Sequence, residues 1–194
     1  MMGKLLAVHQ EQDSPSAISD ETLVAGVAKG DAAALAALYR RHCTGVYRFV
    51  SRLAGVDAND LDDLVQATFI AVHQSAVRFA ATSSVRTWIF GIASRIVGKH
   101  VRTEVRRRSK HARAGELAVE PAKPDAVVAQ RDALARISDA LATLPHEQRS
   151  IFVLCVIEEV SGKEAASVLG IREGTLWRKL HEARSELRRA LEEP

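Results

Sequence analysis

The sequence has few aromatic residues and no long apolar run. Aromatic side chains make up 5% of the 194 residues, and no segment alternates β-branched with polar residues as a half-buried strand does. Ala and Leu dominate the apolar 47%, which favours helices. No stretch reaches the roughly 20 apolar residues that span a bilayer, and the run from Leu5 to Val8 is too short for a signal-peptide core. We expect a soluble, cytoplasmic, all-α protein with no membrane insertion.

Cysteine is scarce as well. Cys43 and Cys155 are the only two, and they fall in separate halves of the chain, each in a predicted helix with apolar neighbours. Two buried thiols are the expected state in a reducing cytosol, and a redox pair stays open as the alternative. The seven histidines are scattered, and none pairs with a cysteine at a ligand-like spacing. No metal and no other cofactor is therefore expected.

The residue combinations that support catalysis are also missing. The chain has no Ser/His/Asp order and no glycine-rich phosphate loop. Asp62 and Asp63 are adjacent, so their side chains splay around a helix instead of converging on one site. His42 and Cys43 are neighbours too, which points their side chains about 100° apart. The sequence predicts no catalytic residue and indicates a protein that is not an enzyme.

A helix-turn-helix pattern extends from Ser161 to Arg184. Ala165 and Ala166 are small enough for a second helix to cross closely, and Gly170 can adopt the positive φ that ends a helix. A four-three-four spacing predicts the buried face of the second helix: Leu176, Leu180, Ala183 and Leu187. The opposite face holds small, basic and hydrogen-bonding residues: Gly174, Arg178, His181, Ser185 and Arg189. Such a surface suits a helix that enters the DNA major groove, and the alternative is an amphipathic helix with solvated charges.

Glycine, proline and capping residues divide the chain into four parts. Residues 1–18 are polar and aperiodic, which predicts a disordered tail. Residues 19–109 predict a four-helix domain. The first helix is expected to begin at Ser19 or Asp20 and the second at Asp31. The third is expected from Asp57 or Asn59 to about Phe79, and the fourth from about Val85 to Arg108. Residues 110–126 contain glycine and proline and predict a flexible linker. Helical periodicity resumes in 127–194, so we expect two small all-helical domains on a flexible tether.

The third predicted helix places apolar residues where water is expected. Its buried face is defined by Leu61, Leu64, Val65, Thr68 and Val72. Ile70 and Val77 fall on the opposite face, near Asp62, Asp63 and Gln66. Isolated exposed aliphatic residues are common in soluble proteins. A mixed acidic and apolar face is also typical of a docking surface, which is the functional interpretation.

The fourth predicted helix is basic and contains a stripe of small residues. From Arg95 to Arg113 there are eight Lys or Arg and a single acid, Glu104. The predicted inward face holds Ile89, Ile92, Ala93, Ile96 and His100, and the far side holds Thr87, Gly91, Ser94 and Gly98. Small residues let another molecule approach the backbone, basic side chains attract phosphates, and Trp88 and Phe90 at the edges could stack on unpaired bases. The alternative is a solvated basic helix with its aromatic residues in the core.

Four segments in this order resemble the extracytoplasmic-function (ECF) sigma factors, which are two-domain bacterial transcription initiation factors. The resemblance covers about Asp20 to Leu191 and includes DLDDLVQATFIAVHQ and SSVRTWIFGIASRIVGKHVRTEVRRR. It implies a non-catalytic specificity subunit that binds core RNA polymerase and promoter DNA. It also suggests an anti-sigma partner, which the linker would permit to hold the two domains shut, but the sequence does not decide whether one exists.

The resemblance implies roles for three groups of residues in this chain. Docking on the clamp helices of the polymerase β′ subunit, with the β subunit as a further partner, is implied for Asp62, Asp63, Leu64, Val65, Gln66, Phe69 and Ile70. Opening and reading the −10 element is implied for Phe79, Ser83, Ser84, Arg86, Thr87, Trp88, Arg95, Lys99 and Arg102. There the loop from Phe79 to Val85 would hold an extruded base. Reading the −35 element in the major groove is implied for Arg172, Glu173, Thr175, Arg178, Lys179 and His181.

Some positions depart from the family pattern. Relatives often have a basic residue where Gly91 stands and an Asn where Arg95 stands. They also often have a Val-Lys pair in place of Leu176 and Trp177. Trp177 lies on the flank of the recognition helix, where it either packs between helices or presses on the sugar–phosphate backbone. These departures leave the promoter preference open.

Three other classes of protein compete with this interpretation. A one-component repressor or activator would bind duplex DNA alone, as a dimer on a two-fold site. An enzyme with an appended DNA-binding domain would need a catalytic constellation that the sequence lacks. A pure protein-interaction module would leave the basic run from Arg95 to Arg113 unexplained.

Overall fold

The computed structural model describes residues 18–54, 58–113 and 139–192, without the side chains of 58, 59 and 108–113. Parts of three predicted segments lie outside this description. They are the predicted tail except Ile18, positions 114–126 of the predicted linker, and positions 127–138 of the second predicted domain. Within the described ranges every regular element is a helix. The all-α prediction is therefore confirmed.

The described helices form two units, which we define as residues 18–113 and 139–192. The first unit contains α1 (Asp20–Ala28), α2 (Ala32–Ala54), α3 (Ala58–Ser75), a 3-10 turn (Ala76–Arg78) and α4 (Val85–Arg113). The second contains a helical stretch at 139–143, then α5 (His146–Phe152), a π-helical turn (Val153–Ile157), α6 (Gly162–Leu169) and α7 (Glu173–Glu192). The π-helical turn and the extension of α4 beyond Arg108 are features that the periodicity did not predict.

Short-range capping interactions set the helix boundaries. Ser19 Oγ accepts a hydrogen bond from the Thr22 backbone N–H at 3.2 Å and caps α1. Asp31 Oδ1 accepts from the backbone N–H of Ala33 at 2.8 Å and thereby caps α2. Gly170 ends α6 at a φ of 71°, in the left-handed region that glycine adopts without strain. These three boundaries confirm the predictions made from residue type.

The core of the first unit lies between α2, α3 and α4. Phe49 of α2 and Phe90 of α4 are fully buried and stack with their ring centroids 4.4 Å apart. The expectation that Phe90 lies at a helix edge, available to nucleic-acid bases, is wrong, and for this residue the core interpretation holds. The ring is buried because α2 packs against that side of α4.

The second unit buries the face of α7 that the spacing predicted. Leu176, Leu180, Ala183 and Leu187 are all buried. Ala165 and Ala166 are buried too, and α6 packs against α7. The helix-turn-helix geometry is thus confirmed. The two cysteines, by contrast, are half-buried free thiols and not the fully buried ones that were expected.

The two units pack against each other, which the sequence did not indicate. Helix α6 lies along α4, and the largest apolar core contains residues of both units. Thr87 and Ser94, predicted on the outer side of α4, are each only 4% exposed. The prediction that small residues let something approach α4 closely is correct, and in this structure the approaching surface is the second unit of the same chain.

Candidate functional surfaces

The exposed face of α7 presents basic and polar side chains from its N-terminal half. Arg172, Glu173, Arg178 and His181 are exposed, while Thr175 and Lys179 are partly buried. Arg178 Nη1 donates to Glu182 Oε1 at 3.0 Å, and Lys179 Nζ donates to Glu147 Oε2 at 2.9 Å. Ion pairs at the surface contribute little, so both cations can exchange these partners for other anions. The structure thus brings the six predicted −35 residues to one end of the helix-turn-helix.

Trp177 packs between helices. Its indole covers Gly162 at the start of α6 so closely that a Cβ at position 162 would lie 2.4 Å from Trp177 Cζ2. The indole Nε1 donates to Glu173 Oε1 at 3.3 Å, and the side chain is still 49% exposed. The sequence left two placements open for Trp177, and the structure shows packing between helices. The ring therefore sets the spacing between α6 and the first turn of α7.

A groove of about 970 Å³ lies between α2 and α3. We call it the α2–α3 groove. Its lining includes five of the predicted docking residues: Asp62, Val65, Gln66, Phe69 and Ile70. Asp62, Asp63, Gln66 and Ile70 are exposed, whereas Leu64, Val65 and Phe69 are buried. Leu64 does not line the groove, so its side chain supports the helix instead of facing a partner.

The floor of the α2–α3 groove is aromatic. The rings of Tyr39 and Phe69 meet edge to face with centroids 4.8 Å apart. The hydrogen bond to Cys43 raises the pKa of the Tyr39 hydroxyl above its ordinary value, with nearby charge and burial acting in the same direction. The lining combines one acidic side chain, Asp62, with the exposed aliphatic side chain of Ile70 at 52% exposure, and it also contains Arg40.

A second candidate surface is the outer side of α4 with the loop that precedes it, which we call the α4 face. Phe79, at the start of the loop, and Trp88, in the first turn of α4, have ring centroids 4.9 Å apart, and both are partly exposed. Ser84 Oγ accepts from the Thr87 backbone N–H at 3.1 Å and begins the helix. Lys99 and Arg102 are exposed further along α4. Eight of the nine predicted −10 residues are thus exposed or partly exposed on α4 and the segment before it, whereas Thr87 is buried.

The second unit covers much of the α4 face. Arg95 Nη1 donates to the Val168 carbonyl at 2.8 Å, and the Ser84 backbone N–H donates to Glu164 Oε1 at 3.2 Å. Arg86 pairs with Glu158, whose other carboxylate oxygen accepts from Arg52 Nη1 at 2.8 Å. Two of the predicted phosphate-binding side chains, Arg86 and Arg95, are therefore engaged by carboxylate and carbonyl oxygens of the second unit.

Two glycines make this contact close. A Cβ at Gly91 would lie 2.7 Å from Val168 Cβ and 3.0 Å from the Val168 carbonyl oxygen. A Cβ at Gly98 would lie 2.7 Å from His146 Nε2. Between the glycines, Ser94 Oγ and Ser150 Oγ form a buried hydrogen bond at 3.0 Å. The small residues that follow one side of α4 thus fit against α5 and α6.

Arg149 joins the units through buried hydrogen bonds. Its Nη1 donates to the Leu53 carbonyl near the end of α2 at 2.8 Å, and its Nη2 donates to the carbonyls of Ala142 and Leu144 at 2.6 and 3.0 Å. Burial lowers the pKa of the guanidinium. A buried cation is tolerated only when it is hydrogen-bonded, so the second unit depends on a carbonyl group of the first.

His146 also lies at the contact between the units. Its Nε2 donates to the Ser94 carbonyl at 2.9 Å. Burial lowers the pKa of His146 below the ordinary 6.5, and the cations Arg149 and Arg102 act in the same direction. The hydrogen bond to Ser94 and the charge of Glu147 oppose this shift without cancelling it. The imidazole is therefore held in its neutral form.

The residues of the second unit that contact the first unit were not predicted from the sequence. Glu158, Glu164, Val168, His146 and Arg149 were given no role. Glu158 follows an apolar run and Arg149 interrupts an apolar pattern, so both could have been singled out from the sequence. Neither pattern identifies the distant group that the side chain contacts. Charge patterns identify a polar residue, whereas its partner is set by tertiary packing.

The described residues offer no metal site and no membrane span. Within 18–54, 58–113 and 139–192, no group of three or more His, Cys, Asp or Glu side chains could hold a metal ion. Over the same residues, none of the helices combines the length and the hydropathy that crossing a bilayer requires.

The fold and its surfaces define a helical protein whose first unit contains the basic helix α4 and whose second unit is a helix-turn-helix. Two family models match the corresponding parts of the chain. The model of sigma-70 region 2 matches residues 38–107, and the model of sigma-70 region 4 matches residues 134–187.

Curated relatives match along nearly the whole chain. The chain is 33% identical over 181 residues to the probable RNA polymerase sigma-C factor of Mycobacterium bovis, covering 89% of this chain and 92% of that protein. It is 33% identical over 171 residues to the ECF RNA polymerase sigma factor SigL of Mycobacterium tuberculosis, covering 88% and 96% respectively.

Two solved structures share the fold of this chain. CnrH, in a complex with the cytosolic domain of CnrY, aligns with a TM-score of 0.65 and 27% identity over 89% of this chain and 96% of that one. RpoE of Bartonella quintana, in a complex with the anti-sigma factor NepR, shares the fold with a TM-score of 0.58 over 80% of this chain and 94% of that one. The chain belongs to the ECF family of RNA polymerase sigma factors. It binds core RNA polymerase and directs promoter recognition and transcription initiation.

Proposed function

We propose that this sigma factor divides its work among three surfaces of the two units. Residues 19–109 form the domain that binds core polymerase and opens the −10 element, 110–126 form the linker, and 127–194 form the domain that reads the −35 element. The observation that carries the proposal is the separation of the predicted residues into three surfaces: the α2–α3 groove, the α4 face and the exposed face of α7.

The α2–α3 groove is the site for the clamp helices of the polymerase β′ subunit. Asp62 supplies negative charge in the lining, the neighbouring Asp63 is exposed, and Ile70 and Phe69 contribute apolar lining. A partner helix with basic and apolar side chains satisfies both features, because burial of Ile70 provides affinity and charge provides orientation. The buried Leu64 and Val65 act by holding α3 in place.

The α4 face opens and reads the −10 element. Phe79 and Trp88 are already in contact and partly exposed, which suits them to stack on a base extruded from the non-template strand. Arg86, Arg95, Lys99 and Arg102 supply positive charge for the opened backbone. Stacking contributes about 1–3 kcal/mol per base, enough to offset extraction of one base.

The exposed face of α7 reads the −35 element as duplex. Arg178 and His181 lie about one and two turns after the start of the helix, in the N-terminal half from which recognition helices contact base edges. Arg172, Glu173, Thr175 and Lys179 surround them and contact bases or phosphates. Trp177 is placed to hold the angle of α7 without contacting DNA.

The chain acts in the cytoplasm, where polymerase works, and has no catalytic role of its own; nucleotide chemistry belongs to polymerase. An anti-sigma factor is a further expected partner. The structures of CnrH and RpoE each contain a second protein, and the partner of RpoE is described as an anti-sigma factor. An inhibitor of this chain would act by keeping the two units together.

Run-off transcription tests the proposed function. Purified chain and core polymerase, with a library of promoter fragments, should give discrete transcripts that neither component gives alone. A gel shift without polymerase separates this function from that of a one-component regulator, because the sigma factor should bind duplex DNA poorly by itself. Tight duplex binding without polymerase, and no transcript with it, would reject the proposal.

A further inference from the structure

We infer that Glu182 is a positioning residue, which fixes Arg178 for reading one base pair of the −35 element. It raises the discrimination between DNA sequences and lowers the general attraction to DNA. The inference rests on the proposed function, because it takes the exposed face of α7 as the surface that reads duplex DNA. Gln148 of α5 takes part as the group that holds Glu182 from the other side.

The carboxylate of Glu182 has partners on two helices. Arg178 Nη1 donates to its Oε1 at 3.0 Å, and Gln148 Nε2 donates to its Oε2 at 3.1 Å. Helices α5 and α7 pack against each other, so the Gln148 amide approaches from a fixed direction. Its nitrogen must face the carboxylate, because the flipped amide would place oxygen against oxygen. Glu182 is therefore held from α5 while it holds Arg178.

Helix stability does not account for the pair of Arg178 and Glu182. Side chains four positions apart share one face of a helix, but a cation that precedes an acid is the weaker order of such a pair. With 65% of the Arg178 side chain exposed, the pair adds little to folding. An interaction within α7 would also not need the second hydrogen bond, from Gln148. What the arrangement does is limit the directions in which the guanidinium can point.

The bond to Glu182 leaves most of the guanidinium of Arg178 for DNA. Arginine has five N–H donors in a planar fork, and this bond uses Nη1 alone. The other donors can form the paired hydrogen bonds to guanine O6 and N7 that make up the commonest specific arginine contact. Because one side of the fork is already fixed, Arg178 loses fewer orientations when it meets the base.

The charge of Glu182 favours bases over phosphates as the partners of Arg178. Phosphates attract arginine through its positive charge, and this attraction is the same for every sequence. A carboxylate 3.0 Å from the guanidinium offsets that charge and repels phosphates. Guanine O6 and N7 are acceptors on an uncharged base, so they do not meet the same repulsion. Glu182 thus lowers binding that is independent of sequence and keeps the contact that reads the base.

The test measures the −35 preference one base pair at a time. Core polymerase with each full-length variant transcribes a pool of fragments, made from a promoter selected by run-off transcription, with every single substitution in the −35 element. Arg178→Ala first identifies the base pair that Arg178 reads, as the position where the preference is lost. Glu182→Ala should lower the preference at this base pair by about five-fold or more and leave the others within about two-fold. A merely structural defect would instead lower transcription from all fragments together.

Three further variants separate positioning from charge. Glu182→Gln keeps an oxygen acceptor for Arg178 without the charge, so the base preference should stay within about two-fold of the wild type. In both Glu182 variants, unrelated duplex DNA should compete about two- to five-fold more strongly at low salt. Gln148→Met keeps the length of the side chain without its hydrogen bond and should shift the preference in the direction of Glu182→Ala. Glu186→Ala is the matched control, because it removes a carboxylate from the same helix about two turns beyond Arg178 and should leave the preference unchanged.

Three results would overturn the inference. The first is a wild-type preference in Glu182→Ala at the base pair that Arg178 reads. The second is an equal loss in Glu186→Ala, because the effect would then belong to net charge. The third is a further loss at that base pair when Glu182→Ala is added to Arg178→Ala, because Glu182 would then not act through the arginine. A wild-type chain without preference at any −35 base pair would instead reject the proposed function.

Discussion

Gly91 of α4 lies directly against Val168 of α6, so close that a Cβ on the glycine would be 2.7 Å from Val168 Cβ. This pair connects two units that the sequence presents as separate domains. The absence of a side chain at position 91 lets α6 approach α4, and Arg95 then reaches the carbonyl of the same valine.

The variant Gly91→Ala should separate the units without harming the helix. Alanine favours a helix by up to about 1 kcal/mol over glycine, but here its methyl group collides with Val168. Small-angle X-ray scattering of the free chain should show a larger radius of gyration. Gly45→Ala in α2 is the matched control, since no atom lies within 4 Å of a Cβ there. An unchanged radius in Gly91→Ala would contradict the packing described.

Reversing the charges at Asp62 and Asp63 should weaken binding to core polymerase. Both side chains are exposed, so Asp62→Lys/Asp63→Lys should leave thermal unfolding nearly unchanged. The affinity for core should fall by about ten-fold or more, because like charges would then face a basic partner. The double variant Glu21→Lys/Glu192→Lys reverses two exposed acids away from the α2–α3 groove and should bind normally. Equal binding by both double variants would reject the docking site.

Arg178→Ala should weaken recognition of the −35 element. Loss of a bidentate contact to a base costs about 1–3 kcal/mol and relaxes the preference at that base pair. Stability should change little, because the ion pair that Arg178 forms with Glu182 is exposed. Footprinting of the holoenzyme should show reduced protection upstream, with Arg188→Ala on the same helix as control. Full protection over the −35 element in Arg178→Ala would contradict the assigned role.

Acidification should destabilise the chain through His146. The pKa of His146 is lower in the folded state than in the unfolded state. The neutral imidazole therefore contributes its full stabilisation above the unfolded-state pKa, and this stabilisation is lost as the pH falls through the folded-state pKa. Between about pH 7.5 and 5.5 this loss reaches at most about 1.4 kcal/mol, because an unfolded histidine titrates near 6.5. Urea unfolding of wild type and His146→Gln measures it. A variant with the same pH dependence as the wild type would show that His146 is not responsible.

The sequence predicted what depends on neighbouring residues. Ser19, Asp31 and Gly170 act within one helical turn, and their roles follow from residue type. The buried face of α7 follows from spacing alone because periodicity records which side meets a core. The family resemblance added the grouping of residues into three surfaces. The role assigned to each of those residues stays a prediction.

The sequence did not predict contacts between distant parts of the chain. Arg149 and Leu53 are 96 positions apart, and no local pattern connects them. The stripe of small residues from Thr87 to Gly98 did predict that another surface lies close to α4. Small residues do not identify that surface, which here belongs to the second unit. The predicted position of Phe90 at the edge of α4 was wrong because α4 is apolar on several faces, so the spacing of its apolar residues does not define a single buried face. Tertiary packing decides each of these cases.

The central claim is that the α4 face, which the second unit covers in the free chain, opens the −10 element, and the distance between the units tests it most directly. Fluorophores on unnatural amino acids at the exposed positions Lys29 and Ser167 report that distance by energy transfer. We predict a short distance in the free chain and a longer one once polymerase has opened the promoter. A short distance that persists in the open complex would contradict the account, as would a free chain whose units are already apart.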